Sequence, residues 1–241
     1  MIEKLIALSV CLIALLPAGN FSEADGAIAI VAAIDDEVAL LLAQMDVKES
    51  DTFRTSKIWE GEIYGKNVVL AKCGVGQEKA QICTRFLIDH YDLEAIIFSG
   101  IGGATHSGID MGDIVVASDV LYLNFDSLSF EIYRTDEALA SLAMNCAGGL
   151  DIHRGRFYTT TPIMVDEFLL YLYLKIKNVK CVEMENAPMA KLAMESDIPF
   201  VSIRGISDQV GPLMFFQVQK YAQLAADNAA QVTLEMINRW E

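Results

Sequence analysis

Short apolar segments alternate with segments of helical periodicity along most of this chain, from residue 27 onward. Ala27–Ala33 and Ala95–Ser99 are apolar along almost their whole length, which is typical of strands buried on both faces of a sheet. Between them, Asp36–Met45 has apolar residues at helical spacing. This alternation predicts an α/β fold, here a three-layer α/β/α domain around a mostly parallel or mixed central sheet.

The first 24 residues differ from this pattern and are typical of a secretory signal peptide. Met1–Lys4 carries one basic residue, Leu5–Leu16 is an apolar run, and small residues that suit cleavage follow near residue 24. The run is too short to span a bilayer comfortably. We therefore expect residues 1–24 to direct export to the periplasm or the cell exterior rather than the cytoplasm, with an uncleaved anchor as the alternative. Residues 25–241 are expected to form one domain, with no stable membrane partner once the signal is cleaved.

Charge and cysteine spacing exclude several kinds of site. The formal net charge of −15 argues against nucleic acid or an anionic membrane surface as a partner. No zinc-type spacing of Cys or His is present, so we expect no metal ion and no cofactor. Beyond the first 24 residues the cysteines are widely spaced, and both disulfides and buried free thiols remain open. These cysteines are Cys73, Cys83, Cys146 and Cys181.

Carboxylates gather around the last predicted strand. The blocks Val182–Asn186 and Arg204–Asp208 lie on either side of the apolar run Ile198–Ile203, so we expect Asp208 just past a strand end, where open α/β sheets bind ligands. One of the two glutamates in the first block could face a pocket while the other forms a structural pair. An acidic cluster on an exposed turn is the alternative. Upstream, Asp35–Glu37 is either part of a site or an acidic helix start stabilised by the helix dipole.

Two glycine-rich segments follow apolar runs. Gly74–Gly76 is expected to open a helix, and Gly100–Gly103 is expected to end a strand in a turn. Glycine there would let a ligand approach the backbone and its amide donors. Neither segment matches a dinucleotide or P-loop fingerprint, and simple tight turning is the alternative.

Six blocks in order resemble the nucleoside phosphorylase superfamily and are most similar to the 5′-methylthioadenosine/S-adenosylhomocysteine nucleosidases. The resemblance runs from about Ala27 to near the C-terminus. The blocks are Ala-Ile-Asp-Asp-Glu37-Val, Cys-Gly-Val-Gly76, Ser-Gly-Ile-Gly-Gly103, Gly-Asp113-Ile-Val-Val, Val-Glu-Met-Glu185 and Arg-Gly-Ile-Ser-Asp208.

The resemblance implies a role for each matching residue. Asp208 would protonate purine N7, Glu37 would position the attacking water, and Glu185 would bind the ribose hydroxyls. Ile163 replaces the aromatic residue that stacks on the base in the family, because Thr159–Ile163 stands where the nucleosidases have Ser-Gly-Asp-x-Phe. The other residues implied around the substrate are Met184, Val75, Ile101, Gly102, Arg204 and Ser207.

The resemblance therefore implies hydrolysis of the N-ribosidic bond of a small-molecule purine nucleoside, of the methylthioadenosine or adenosylhomocysteine type. A carboxylate beside the nucleophile favours neutral water and repels phosphate. One alternative is a phosphate-dependent phosphorylase, with Arg85, Arg154 and Arg156 as candidate phosphate ligands. Another is a non-catalytic, exported nucleoside-binding or storage-type protein. The resemblance also implies a homodimer, and the apolar stretches Leu169–Leu174 and Leu213–Phe216 could be interface or core.

Overall fold

A computed structural model describes residues 26–124, 127–160, 174–175 and 177–241. The predicted signal segment, Ile163 and most of the stretch Leu169–Leu174 lie outside the described residues. The helices are α1 (Asp35–Gln44), α2 (Gln77–His90), α3 (Glu137–Met144), α4 (Asn186–Glu195) and α5 (Met214–Asn238). The strands are β1 (Ala27–Ala32), β2 (Asp46–Phe53), β3 (Ser56–Ile63), β4 (Lys66–Lys72), β5 (Leu93–Ala104), β6 (Ile114–Asn124), β7 (Ser129–Arg134), β8 (Ile152–Thr159), β9 (Val179–Glu183) and β10 (Phe200–Gln209).

The strands form one mixed sheet, which confirms the predicted fold class. Strand β5 is parallel to β1 and β10 and antiparallel to β9. Strand β10 pairs antiparallel with β6, and β6, β8 and β9 are joined by parallel pairs. Strands β5, β10, β6, β8 and β9 therefore close into a ring, while β1, β4, β3 and β2 extend from β5 as an open sheet.

The apolar strands are buried on both faces, as their composition predicts. Ala27, Ala29 and Val31 of β1 pack into one core cluster, which includes residues of α2 and α4. Ile28 and Ile30 pack into a second cluster with residues of α1, α3 and α5. Since side chains alternate across a strand, the two clusters lie on opposite faces of the sheet. The sheet is thus the middle layer of three.

Two local predictions about the strand ends are wrong. Gly100–Gly103 is not a turn but the last part of β5, and Asp208 lies within β10 rather than past its end. The reason is that β5 and β10 stay paired through both segments, with a shift of register between Ile206 and Asp208. The shift changes the pairing locally without ending the strand.

The glycines of β5 make room for buried charged side chains. A Cβ at Gly100 would lie 2.4 Å from Arg204 Nη1 and 2.6 Å from Glu37 Oε1, and a Cβ at Gly103 would lie 2.7 Å from Asp208 Oδ2. Glycine in a strand often marks such a close approach. The segment predicted as a ligand-approach turn is therefore strand backbone whose glycines leave room for Glu37, Arg204 and Asp208.

Gly205 of β10 packs directly against helix α5, and this contact gives a stability prediction. A Cβ at Gly205 would lie 1.9 Å from the carbonyl oxygen of Ala225. Gly205→Ala should therefore lower the free energy of unfolding by about 3 kcal/mol, because backbone would have to move. Urea denaturation measures this change, with Gly108→Ala as the control because its Cβ would meet nothing within 4 Å. Equal unfolding midpoints for the two variants would contradict the packing of α5 on β10.

The four described cysteines, Cys73, Cys83, Cys146 and Cys181, are buried and free. This outcome favours the buried-thiol alternative over disulfides. No helix in the described ranges has the length and apolarity needed to cross a membrane.

Candidate active site

A cavity of about 410 Å³ lies beside the C-terminal halves of β5 and β10. It brings together segments far apart in sequence: the start of α1, the loop before α2, and the junction of β9 with α4. The residues singled out from sequence that line it are Glu37, Val75, Ile101, Gly102, Met184, Glu185, Arg204, Ser207 and Asp208. Ile163, also singled out from sequence, is not among the described residues.

The acidic start of α1 divides into two exposed carboxylates and one buried carboxylate. Asp35 and Asp36 are exposed, as an acidic helix start predicts. Glu37 is 2 % exposed and borders the cavity. A charge that is costly to bury needs compensating contacts, so Glu37 is more than a surface residue of the helix terminus.

Both oxygens of Glu37 accept backbone hydrogen bonds. Oε2 accepts from the N–H groups of Ala33 (2.6 Å) and Ile34 (3.1 Å), and Oε1 accepts from that of Ile101 (2.8 Å). These bonds tie the first turn of α1 to β5 and fix the carboxylate at the cavity wall. Burial raises the pKa of Glu37, and the nearby Arg204 guanidinium and the backbone donors oppose that rise.

Glu185 stands at the start of α4 and reaches across to the loop before α2. Its Oε1 accepts from the Gly76 N–H at 2.8 Å, and its Oε2 accepts from the Met184 N–H at 3.3 Å. Gly76 has a positive φ of 102°, a conformation that side chains rarely adopt, which suits glycine. The loop Gly74–Gly76 thus supplies a backbone donor that orients Glu185 at the cavity.

One buried guanidinium lies among three glutamates. Arg204 is 1 % exposed, and its Cζ lies 3.9 Å from the centre of the Phe98 ring. Its Nη2 is 3.1 Å from Glu183 Oε2 and 3.3 Å from Glu185 Oε2, and its Nη1 is 3.9 Å from Glu37 Oε1. The positive charge is therefore shared by three carboxylates from two different parts of the chain. The motif roles cover two of these glutamates, and Glu183 forms the structural pair that was expected for one glutamate of its block.

Asp208 faces the cavity with one close side-chain partner, the Ser207 hydroxyl, which donates to Oδ1 at 2.7 Å. Arg204 and Ser207 were both expected to lie beside the substrate site. Ser207 contacts Asp208, whereas the ion pairs of Arg204 are with glutamates. Asp208 is 4 % exposed. Burial raises its pKa, and the Ser207 hydrogen bond partly offsets this. A carboxyl group in this setting keeps its proton to higher pH than an ordinary aspartate.

The arginines considered as phosphate ligands lie elsewhere. Arg154 forms an ion pair with Glu137, and Arg156 forms one with Asp119. Arg85 borders a separate cavity between α2, α4 and the β6–β7 hairpin. Among the described residues that line the active-site cavity, the single cationic side chain is the guanidinium already surrounded by glutamates. A phosphate dianion would therefore meet carboxylates and no free cation on the described walls.

The described residues do not bring three metal-binding side chains together in an arrangement that would hold a metal ion. Thr160 of the Thr159–Ile163 block lines the cavity, and residues 161–163 lie outside the described ranges.

Comparison with known proteins supports the family suggested by the motifs. The model of the phosphorylase superfamily matches residues 27–238. The 5′-methylthioadenosine/S-adenosylhomocysteine nucleosidase of Bacillus licheniformis is 27% identical over 227 residues, which are 88% of this chain and 98% of that protein. The nucleosidase of the same name from Bacillus thuringiensis is 28% identical over 226 residues, 86% of this chain and 98% of that protein.

Solved structures share the whole fold. The 5′-methylthioadenosine/S-adenosylhomocysteine nucleosidase of Neisseria meningitidis, in complex with methylthio-immucillin-A, aligns with a TM-score of 0.82 at 24% identity, covering 89% of this chain and 99% of that one. Futalosine hydrolase of Helicobacter pylori aligns with the same TM-score at 20% identity, covering 90% and 100%. Likeness at these identities shows the fold, and the choice of substrate depends on the residues of the site.

Proposed function

This chain belongs to the phosphorylase superfamily, and we propose that it hydrolyses the N-ribosidic bond of a purine nucleoside, with 5′-methylthioadenosine or S-adenosylhomocysteine as the substrate class. The products are adenine and a 5-substituted ribose. One observation carries the proposal: Glu37, Glu185 and Asp208 border a single cavity, although they are distant in sequence. Relatives at 27–28% identity, matched over nearly their full length, bear the corresponding name.

The proposed mechanism gives each carboxylate a separate task. Asp208 donates its proton to N7 of the base as the bond between C1′ and N9 breaks, and the bonding electrons leave with the base. Glu185 binds the ribose hydroxyls and stabilises the positive charge that develops on the sugar. Glu37 orients a water molecule toward C1′ and accepts its proton. Asp208 thus donates a proton to the leaving base, while Glu37 accepts a proton from the attacking water.

Electrostatics favour water over phosphate as the nucleophile. Three glutamates share one guanidinium, so the described wall around Arg204 carries an excess of negative charge. Attack by a phosphate dianion would add like charge at short range in a site of low dielectric constant. The same wall places the acid, the ribose contact and the water contact together, which supports catalysis over a storage role.

Product analysis tests the proposed function and separates it from its alternatives. Incubation of the purified protein with 5′-methylthioadenosine should release adenine at the same rate in phosphate-free buffer and in added phosphate. Base release that requires phosphate would identify a phosphorylase. Tight nucleoside binding with no release from a panel of purine nucleosides would identify a non-catalytic binding protein. Either result would overturn the proposal.

We also propose that residues 1–24 direct export and that the protein is a homodimer. The sequence pattern of the signal supports export, and the resemblance to nucleosidases supports the dimer. Phe215 and Phe216, at the start of α5, are 67 % and 68 % exposed beside Leu213 at 61 %, and a second subunit would cover them. Analytical ultracentrifugation measures the oligomeric state directly.

A further inference from the structure

Glu183 is the last residue of β9 and comes two residues before Glu185, the glutamate that we assign to the ribose. Its carboxylate accepts hydrogen bonds at both oxygens. Its side chain is 1 % exposed. Oε2 accepts from the N–H groups of Glu185 and Asn186, each at 2.7 Å, and from Arg204 Nη2 at 3.1 Å. Oε1 accepts from the Thr159 hydroxyl. Burial raises the pKa of Glu183, with a further rise from the Glu185 carboxylate, and the Arg204 guanidinium, the Thr159 hydroxyl and the backbone donor oppose that rise and favour the ionised form.

Part of this arrangement caps a helix. The first N–H groups of an α-helix have no partner within the helix, and α4 begins at Asn186. Glu183 accepts from the N–H of Asn186, and the Thr159 hydroxyl accepts from the N–H of Ala187 at 3.0 Å. The negative charge also lies at the positive end of the helix dipole. The ends of β8 and β9 thereby fix the segment that carries Glu185.

The other part of the arrangement sets the position of the guanidinium. Arg204 Nη2 lies between Glu183 and Glu185, while Nη1 is directed toward the Ile101 carbonyl oxygen at 3.1 Å and toward Glu37. Loss of the charge on Glu183 would leave Arg204 attracted by the two remaining carboxylates alone. Those two are the groups that we assign to the water and to the ribose. Their placement therefore depends on the charge of a third glutamate that borders the same cavity.

We propose that Glu183 is a positioning residue, which holds Arg204 and the Glu185 segment in the geometry needed to bind and cleave the nucleoside. This inference rests on the proposed function, because it concerns the same reaction. It assigns a task to a glutamate that borders the cavity but has no role among those implied by the motifs.

Glu183→Gln separates charge from shape at this position. The amide oxygen can still accept from the two N–H groups, and the Thr159 hydroxyl can accept from the new NH₂ group. We expect kcat for base release to fall roughly 10- to 100-fold, as for a misplaced catalytic group. We also expect nucleoside affinity to fall about tenfold with no change in affinity for free adenine, because the contact placed by Glu183 is to the ribose. Steady-state kinetics and titration calorimetry measure these changes.

The pH profile supplies a readout that a purely structural role would not move. The charged groups acting on Glu37 are Arg204, which lowers its pKa, and Glu185, which raises it. Without the charge of Glu183, Arg204 should interact more strongly with Glu37 and lower its pKa further. The acidic limb of the kcat profile should therefore shift to lower pH in Glu183→Gln.

Glu137→Gln is the matched control, since Glu137 is a glutamate near a helix start that pairs with an arginine, Arg154, but on the exposed surface. It should leave kinetics and affinities unchanged.

Wild-type values of kcat and of nucleoside and adenine affinity in Glu183→Gln would overturn the inference. If the wild-type protein binds nucleoside without cleaving it, the proposed function fails. The inference is then tested by affinity alone: Glu183→Gln should still bind nucleoside more weakly than the wild type and bind adenine equally well. A wild type that binds no nucleoside overturns both. If Glu183→Gln does not fold, Glu183→Asp tests the placement instead, because it keeps the charge but shortens the side chain. We then expect kcat and nucleoside affinity to fall with no change in adenine affinity, and wild-type values would overturn the inference.

Discussion

Replacing Asp208 by Asn is expected to lower the rate of base release by roughly 10³-fold, the range that general acid catalysis usually contributes. Asn has the same shape and can still accept the hydrogen bond from Ser207, but it has no proton to give to the departing base. The loss should appear in kcat far more than in KM, because the interaction with N7 strengthens only as the bond breaks. Initial rates of adenine formation from 5′-methylthioadenosine measure both constants.

The pH dependence follows from the same carboxyl group. An acid must hold its proton in order to donate it, so activity should persist up to the raised pKa of Asp208 and fall as the pH rises through it. Asp208→Asn should lack this alkaline limb. An unchanged profile, or a loss of less than about threefold in rate, would show that another group protonates the base.

Stability provides the control for folding. Because burial raises the pKa of Asp208, the folded state binds more protons than the unfolded state between the ordinary and the raised pKa. The free energy of unfolding therefore decreases as the pH rises through that window. Asn carries no charge to desolvate, so Asp208→Asn should melt at or above the wild-type temperature at neutral pH. An inactive variant with a lower melting temperature would point to misfolding instead.

The fold could be predicted where burial dictates composition. Strands β1 and β5 are apolar on both faces because helices cover both, and that pattern is visible in the residues themselves. Strand β2 gives no such signal, since its eight residues are nearly all exposed and largely polar. It exists because the β3 edge offers backbone partners along its length. Pairing of this kind depends on a neighbouring strand and leaves no hydrophobic pattern to detect.

The sequence was enough to predict which residues form the site, but not which contacts they make with one another. Motif order identified Glu37, Glu185 and Asp208, and the structure brings them to one cavity. Glu183 has the same residue type as Glu185 two positions later, and only their neighbours in the fold distinguish them: Glu183 accepts from the Thr159 hydroxyl, whereas Glu185 accepts from the Gly76 N–H. A carboxylate just before a helix start was the available sequence signal, because it suits the helix dipole.

Glu37→Gln is expected to lower phosphate-independent base release on the order of 10²- to 10³-fold, because a neutral amide cannot accept the proton of the attacking water. The structure adds a second expectation. Since both oxygens of Glu37 accept from N–H groups, the new NH₂ group must face at least one donor, that of Ile101 or those of Ala33 and Ile34. An unpaired buried donor costs about 1–3 kcal/mol, so the melting temperature should also fall.

Asp36→Asn distinguishes the charge of the helix start from the placement of one carboxylate. Asp36 precedes Glu37 in the first turn of α1 but is exposed, so its removal changes the same helix dipole interaction without entering the cavity. We expect wild-type rates for Asp36→Asn. Equal losses in the two variants would mean that the acidic helix start acts on the site from a distance. A loss confined to Glu37→Gln would mean that the buried carboxylate works by its position against β5, where the Ile101 N–H holds it.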